Sequence, residues 1–227
     1  PSWGAWYAAL YLLHFLYRYR EDGIQYRSDG NIEPVCYYDS GFYQDKVGYR
    51  PHYGYVVYWA GGPIIWKSKR HVNIPMQTSE AEYMTISHAW RSVKWIRSLL
   101  TEMGFGYMVK QPTRVIGDNQ NATNWAVENM ISEGNKHIDI SYMKIREVVK
   151  KGEILPLWVK GEFNPSDLLT KVVTKVVVEQ LRELLHGLKP IEKWTTRNAS
   201  EITRDRRAAM ARYNLQVAAR SRTPHRM

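Results

Sequence analysis

The order of the predicted elements constrains this chain more than any other feature. Residues 33–38, 54–60 and 64–67 are short β-prone runs separated by turn signals, and a long helical pattern follows at residues 78–103. Strands predicted at residues 113–117 and 154–159 then alternate with helices. Three consecutive strands that can pair antiparallel, followed by alternating helices and strands, predict an α/β fold with a mixed five-stranded sheet flanked by helices.

The remaining elements come from apolar periodicity and from start and stop residues. The long helix begins at a Thr-Ser-Glu run and ends at Gly104. Residues 24–27 look extended, with a turn over residues 28–31. Further helices are predicted at residues 3–20, 121–129, 140–151, 165–170 with a continuation through 179–185, and 199–220.

The first 17 residues lack any Asp, Glu, Lys or Arg. An uncharged run of this length is near the lower limit for a membrane span. Ser2, Gly4, His14 and several aromatic residues weaken that interpretation. We therefore expect a helix that is buried on most sides, and no membrane partner. No signal peptide is evident, because the charged n-region and the small-residue cleavage site are missing.

The positive charge is concentrated at the end of the sequence. The formal net charge is +10, and residues 189–227 hold ten Lys/Arg and three Asp/Glu, a net of +7. Such a segment is either a phosphate-binding element or a solvated tail, and the composition does not separate the two. The only cysteine, Cys36, excludes an internal disulfide and lies in an apolar run typical of a core residue.

Four acidic residues follow strands or begin helices, where side chains can converge at one edge of a sheet. Asp39 follows the strand at 33–38, Glu82 lies one turn into the long helix, Asp118 follows the strand at 113–117, and Asp167 begins a later helix. Carboxylate oxygens are the ligands that Mg²⁺ prefers. The spacing of these residues is not diagnostic, and any one of them could be a surface charge or a helix cap.

Several motifs in the sequence resemble segments of one known family. They are WKSK at 66–69, TSEAEYM at 78–84, DNQNA at 118–122, KHIDISY at 136–142, GEI at 152–154 and DLLTK at 167–171. In this order and with these gaps they resemble the ribonuclease H domain of copia-type retrotransposon polyproteins, over about residues 28–185. WYAAL at 6–10 also resembles the last helix of the reverse transcriptase that precedes this domain.

The resemblance implies three regions and a ribonuclease H-like fold. Residues 1–27 would be the end of a reverse transcriptase, residues 28–188 the ribonuclease H-like domain, and residues 189–227 a basic extension that is partly helical. It also implies that the reverse transcriptase of the same polyprotein is a partner.

The resemblance further implies endonucleolytic cleavage of the RNA strand of RNA–DNA hybrids. Asp39, Glu82, Asp118 and Asp167 match the family's catalytic and metal-binding carboxylates. Glu82 is chosen over Glu80 because it directly precedes Tyr-Met. The implied cofactor is Mg²⁺ or Mn²⁺, as two ions that position a water and stabilise the leaving oxygen.

Three further residues are candidates for contacts with the hybrid or with RNA. Ser79 and Gln120 match positions near the minor groove, where the 2′-hydroxyl distinguishes RNA from DNA. Their alternatives are a helix N-cap and an ordinary surface amide. His137 belongs to the KHID segment, and a structural hydrogen-bonding histidine is the better interpretation of it.

One loop departs from the family pattern and motivates a second hypothesis. Residues 39–55 read DSGFYQDKVGYRPHYGY where the family typically reads DADWAGDPDDRKSTSGY, so hydroxyls are lost and aromatic residues are gained. The domain could instead be a domesticated structural or RNA-binding subunit of a large ribonucleoprotein such as a ribosome. We expect an intracellular protein, cytoplasmic or nuclear if it belongs to a mobile element and organellar if domesticated.

Overall fold

The computed structural model describes residues 2–28, 32–41, 50–127 and 140–189, with only the backbone for 140–143. In these ranges five strands form one sheet: β1 (Val35–Gly41), β2 (His52–Trp59), β3 (Gly62–Arg70), β4 (Thr113–Gly117) and β5 (Ile154–Trp158). The helices are α1 (Trp3–Arg18), α2 (Thr78–Glu102), α3 (Gln120–Val127), α4 (Ile140–Lys150) and α5 (Lys175–Leu185). Single 3-10 turns occupy Gly106–Val109, Gly161–Phe163 and Pro165–Leu169.

The sheet is mixed, as predicted, and its strand order is β3-β2-β1-β4-β5. Strand β1 pairs antiparallel with β2 and parallel with β4, while β4 pairs parallel with β5. The carboxyl ends of β1 and β4 therefore lie side by side, and any side chains that follow them meet at one edge of the sheet.

Each face of the sheet carries its own core. On one face, Cys36 and Tyr38 pack with residues of α2, α3 and α4. On the other face, Val35 and Tyr37 pack with Leu181 and Leu184 of α5. This alternation along β1 is the expected pattern for a central strand that is covered on both sides, and it confirms Cys36 as a core residue.

Helix α1 does not behave as the sequence predicted. The prediction of a helix buried on most sides is wrong, because no residue of α1 is buried and Trp3 is 78% exposed. Its carboxyl end approaches α5, where Arg18 lies 3.8 Å from Glu179. Leu181 and Leu184 of α5 already cover that face of the sheet, so α1 has no core left to join within the described residues. None of the helices in the described ranges has the length and apolarity needed to span a bilayer.

Two smaller segments, residues 24–27 and 165–170, are not part of a strand or an α-helix. Residues 24–27, predicted only as extended, form no ladder: the N–H of Gln25 donates to the carbonyl of His186, and that of Arg27 donates to the carbonyl of Ala60. The predicted helix at 165–170 is a 3-10 turn that is separate from α5. The predicted turn at 28–31, the helix at 199–220 and nearly all of the basic segment after residue 189 lie outside the described residues.

Candidate active site

Three aspartates converge where β1 and β4 end. Carboxylate oxygens of Asp39, Asp118 and Asp167 lie within 4.8 Å of one another. Asp39 comes from β1, Asp118 directly follows β4, and Asp167 lies in the 3-10 turn Pro165–Leu169. The parallel pairing of β1 and β4 accounts for the first two, and the return of the chain after β5 supplies the third.

Glu82 lies beside this triad and is buried, as Asp39 is. It is 3% exposed, and its Oε1 accepts a hydrogen bond of 3.2 Å from the backbone N–H of Ser40. Its Oε2 is buried and has no hydrogen-bond partner among the described residues. A buried carboxylate oxygen without a partner is costly unless a cation or a proton satisfies it.

The pKa values of these carboxyl groups reflect burial and mutual repulsion. Burial, followed by the charges of Asp39 and Asp118, raises the pKa of Glu82 well above its usual range. Burial and the charge of Asp39 also raise the pKa of Asp118. The same two causes raise the pKa of Asp167 to about 6. The carboxylates therefore have too little positive charge around them to offset their mutual repulsion.

Two residues of the DLLTK segment partly offset this shortage. The Lys171 Nζ lies 3.0 Å from an oxygen of Asp39 and 3.0 Å from one of Asp167. The Thr170 hydroxyl donates to the other oxygen of Asp39. Burial alone would lower the pKa of Lys171, but the three aspartates raise it overall.

Asn164 fixes the position of the segment that carries Asp167. It is fully buried, its side-chain oxygen accepts from the N–H of Ser166 at 3.2 Å, and its amide donates to the carbonyl of Tyr38 at 2.8 Å. One side chain thus caps the 3-10 turn and ties it to the residue before Asp39. Sequence reasoning did not single out Asn164, Thr170 or Lys171, although Asn-Pro before Asp167 is a turn signal and the LTK run belongs to a quoted motif.

The candidate hybrid-contacting residues have different surroundings. The Ser79 hydroxyl donates to Oδ1 of Asn119 at 3.3 Å, next to Asp118, and Ser79 lies inside α2, whose N-cap residue is Gln77. Gln120 is exposed and donates to Asn124 one turn along α3, as an ordinary surface amide does. His137, and with it the KHID segment, lies outside the described residues.

The donor set suits a hard divalent cation. Three mutually close carboxylates supply charged oxygens, and Oε2 of Glu82, which has no hydrogen-bond partner in the part of the chain that the structure describes, is buried close to the same acidic charges. Mg²⁺ and Mn²⁺ are held in proteins by such oxygen ligands. The three aspartates could therefore hold a metal ion, with Glu82 beside them.

Comparison with known proteins finds retrotransposon Pol polyproteins among the relatives of this chain. The chain is 29% identical over 187 residues to the "Retrovirus-related Pol polyprotein from transposon TNT 1-94" of Nicotiana tabacum, covering 82% of this chain and 14% of the relative. It is 28% identical over 189 residues to the Pol polyprotein from transposon RE2 of Arabidopsis thaliana, covering 83% and 13%. This chain is a homologue of copia-type retrotransposon Pol polyproteins.

The chain has the mixed five-stranded sheet with flanking helices that the resemblance to ribonuclease H implies. A solved ribonuclease H1 from Halobacterium salinarum NRC-1 is 15% identical, with a TM-score of 0.44, over 61% of this chain and 94% of that one. No protein-family model matches the chain. Because the chain spans only about one-seventh of the length of these polyproteins, it corresponds to a small part of them.

Proposed function

We propose that this domain is a divalent-metal-dependent endonuclease that cleaves the RNA strand of RNA–DNA hybrids, leaving a 3′-hydroxyl and a 5′-phosphate. The observation that carries the proposal is the convergence of Asp39, Asp118 and Asp167 within 4.8 Å at the carboxyl ends of β1 and β4. Homology to retrotransposon Pol polyproteins supports a hybrid as substrate, and a reverse transcriptase of the same polyprotein as partner.

Asp39, Asp118, Asp167 and Glu82 would hold two Mg²⁺ or Mn²⁺ ions. Such ions lower the pKa of a bound water and stabilise the leaving oxygen of a phosphodiester. The protein contributes preorganised ligands: the Thr170 hydroxyl orients Asp39, and the N–H of Ser40 orients Glu82. These hydrogen bonds keep the carboxylates directed toward one place before any ion arrives.

Discrimination of RNA from DNA would fall to polar groups at the rim of the site. Ser79, at the start of α2, and Asn119, directly after Asp118, share a hydrogen bond and are both partly exposed. A hydroxyl and an amide next to the carboxylates can donate to or accept from a 2′-hydroxyl in the minor groove. We propose this pair, rather than Gln120, as the contact that reads the sugar.

A cleavage assay with matched variants tests the proposal. Wild-type protein should cut a labelled RNA–DNA hybrid with Mg²⁺ or Mn²⁺, while Asp118→Asn and Glu82→Gln should each lose at least about 100-fold in rate. Glu80→Gln is the control, because Glu80 accepts a hydrogen bond of 2.7 Å from the N–H of Met76 and does not belong to the aspartate cluster. It should keep near wild-type activity.

Two outcomes would overturn this function. If wild type and Asp118→Asn are equally inert with both ions, the domain is not a working nuclease. The hypothesis of a structural or RNA-binding subunit would then be favoured. If the two cut at equal rates, the measured cleavage does not come from these carboxylates.

A further inference from the structure

Lys171 stands among the three aspartates in the place that a cation would take. Its Nζ lies 3.0 Å from Asp39 Oδ1, 3.0 Å from Asp167 Oδ1 and 3.9 Å from Asp118 Oδ2. The same three residues form the cluster whose oxygens approach within 4.8 Å. One ammonium group thus faces every member of the proposed metal-binding triad.

The backbone that carries Lys171 is firmly held, whereas its side chain is not enclosed. The N–H groups of Thr170 and Lys171 both donate to the carbonyl of Asp167, at 3.2 and 2.9 Å. The Ser68 hydroxyl donates to the carbonyl of Leu169 at 2.6 Å, which ties the same segment to β3. The Lys171 side chain is 31% exposed, against 0% for Asp39, so it enters the cluster from the solvent side.

A lysine is suited to leave such a position. Its charge sits at the end of a flexible four-carbon stem, and it binds carboxylates as a point charge rather than as a fixed bidentate group. A divalent ion bound to the same aspartates would lie a few ångströms from the ammonium, and like charges at that distance repel strongly inside a protein. The ion and the ammonium therefore compete for the same oxygens.

We propose that Lys171 is an exchangeable internal counter-ion that holds the aspartates together without metal and withdraws toward solvent when a divalent cation binds. The proposal rests on the metal site of the proposed function and assigns that site a regulator within its own chain. By pairing with the three aspartates, Lys171 lowers the affinity of the site for the divalent ion. When no metal is bound, its charge offsets the mutual repulsion of the carboxylates and keeps them in place.

A fixed structural ion pair would give the opposite result on substitution. If Lys171 only organised the aspartates, its removal would spread them apart and weaken metal binding. If it is an exchangeable counter-ion, its removal should tighten metal binding while it destabilises the metal-free protein. The sign of the change in affinity therefore separates the two roles without any measurement of catalysis.

The experiment is a titration of the full chain with Mn²⁺, with free Mn²⁺ followed by electron paramagnetic resonance at fixed pH and ionic strength. Lys171→Met keeps the length of the side chain without its charge, and we expect it to bind Mn²⁺ about tenfold more tightly than wild type. Lys171→Arg, which retains the charge, should stay near wild type or bind more weakly. Lys175→Met is the matched control, because Lys175 is 69% exposed and pairs only weakly with Glu179, 4.0 Å away.

Thermal unfolding with and without Mn²⁺ gives the second measurement. Lys171→Met should melt below wild type without metal and recover most of the difference in saturating Mn²⁺, because tighter binding stabilises the folded state more. An unchanged or weaker Mn²⁺ affinity of Lys171→Met would overturn the proposal, and so would the absence of Mn²⁺ binding by either protein.

The outcomes also separate this inference from the proposed function. If Lys171→Met binds Mn²⁺ more tightly and the wild-type protein does not cleave hybrids, the counter-ion proposal stands and the nuclease proposal is refuted. If the wild-type protein cleaves hybrids and Lys171→Met binds Mn²⁺ with unchanged affinity, the nuclease proposal stands and the counter-ion proposal is refuted.

Discussion

At the residue scale, a hydrogen-bonded histidine lies behind the carboxylates. The hydroxyls of Ser40 and Thr85 each donate their only hydrogen to a backbone carbonyl, that of His52 and that of Ala81. Nε2 of His71 lies 3.4 and 3.3 Å from these two hydroxyl oxygens. A neutral His71 ring with its proton on Nε2 is compatible with both contacts.

His71 supports the site indirectly. It contacts the side chain of Ser40, whose backbone N–H holds Glu82. Burial, then the charges of His88 and His52, lowers the pKa of His71 to about 3. The ring is therefore neutral at neutral pH, and its charging would place an uncompensated cation in a nearly inaccessible position.

The depressed pKa predicts a loss of stability in acid. Below the ordinary histidine pKa of 6.5, His71 takes up a proton in the unfolded chain but stays neutral in the folded protein. The contribution of this residue is therefore fully present above pH 6.5 and is lost as the pH falls toward 3. At pH 5 the loss amounts to about 2 kcal/mol.

Urea unfolding of wild type and His71→Gln at pH 7 and pH 5 measures this contribution. Glutamine keeps an amide donor but does not titrate, so the wild type should lose more stability between the two values than the variant does. The comparison cancels the carboxylates, whose raised pKa values act in the opposite sense. Equal losses in the two proteins would show that His71 does not titrate differently on unfolding.

At the element scale, the position of Asp167 depends on how closely the 3-10 turn approaches the sheet. Gly54 of β2 pairs with Asp39 of β1, and the chain just after Asp167 lies directly against it. A β-carbon on Gly54 would stand 2.5 Å from Cβ of Leu169 and 2.9 Å from Cγ2 of Thr170. Only a glycine at this register position leaves room for the segment that brings Asp167 and Lys171 to the site.

Gly54→Ala should therefore damage both the fold and the site. We expect a loss of about 1–3 kcal/mol in the free energy of unfolding, typical of overpacking, together with weaker Mn²⁺ binding as the turn moves away from Asp39. Gly106→Ala is the control, since a β-carbon there meets nothing nearer than 3.7 Å. Urea unfolding and Mn²⁺ titration measure the two effects, and equal behaviour of both variants would refute the close-approach argument.

The elements that sequence predicted well are those with a strong repeat. The bounds of α2, β4 and β5 differ from the prediction by at most one residue at each end, because long helical periodicity and short apolar runs reflect burial directly. Residues 24–27, predicted as extended, do not join the sheet, because an extended segment becomes a strand only when it pairs with a neighbouring strand. The neighbours here are the carboxyl end of α5 and the β2–β3 turn.

At the scale of the whole molecule, the two cores contribute to stability and α1 contributes little. Leu184 of α5 is fully buried against the sheet, whereas Leu13 of α1 is 61% exposed. Both residues are leucines in helices, so substituting each of them compares a buried position with an exposed one while the chemical change stays the same.

Leu184→Ala should cost about 2–5 kcal/mol of unfolding free energy, and Leu13→Ala less than about 0.5 kcal/mol. Chemical denaturation followed by tryptophan fluorescence measures both. A similar cost for the two variants would mean that α1 is packed more tightly than its exposure indicates. A negligible cost for Leu184→Ala would contradict the packing of α5 on the sheet.

The amino-acid sequence by itself determined the order of the elements, the class of the sheet and the four candidate carboxylates. These follow from local periodicity and from motifs in which each residue is recognised by its chain neighbours. The role of those carboxylates as metal ligands stays a prediction for the cleavage and Mn²⁺ measurements. The location of Asp39, Glu82, Asp118 and Asp167 at one edge could be anticipated from strand ends, but their separations could not.

Only the tertiary structure decided what surrounds those carboxylates. It brought Lys171 among the aspartates, directed Asn164 toward β1, left Oε2 of Glu82 without a hydrogen-bond partner among the described residues and placed α1 outside the core. Each of these depends on contacts between segments far apart in the chain. Burial and electrostatic interactions are properties of spatial neighbours, which sequence spacing does not record.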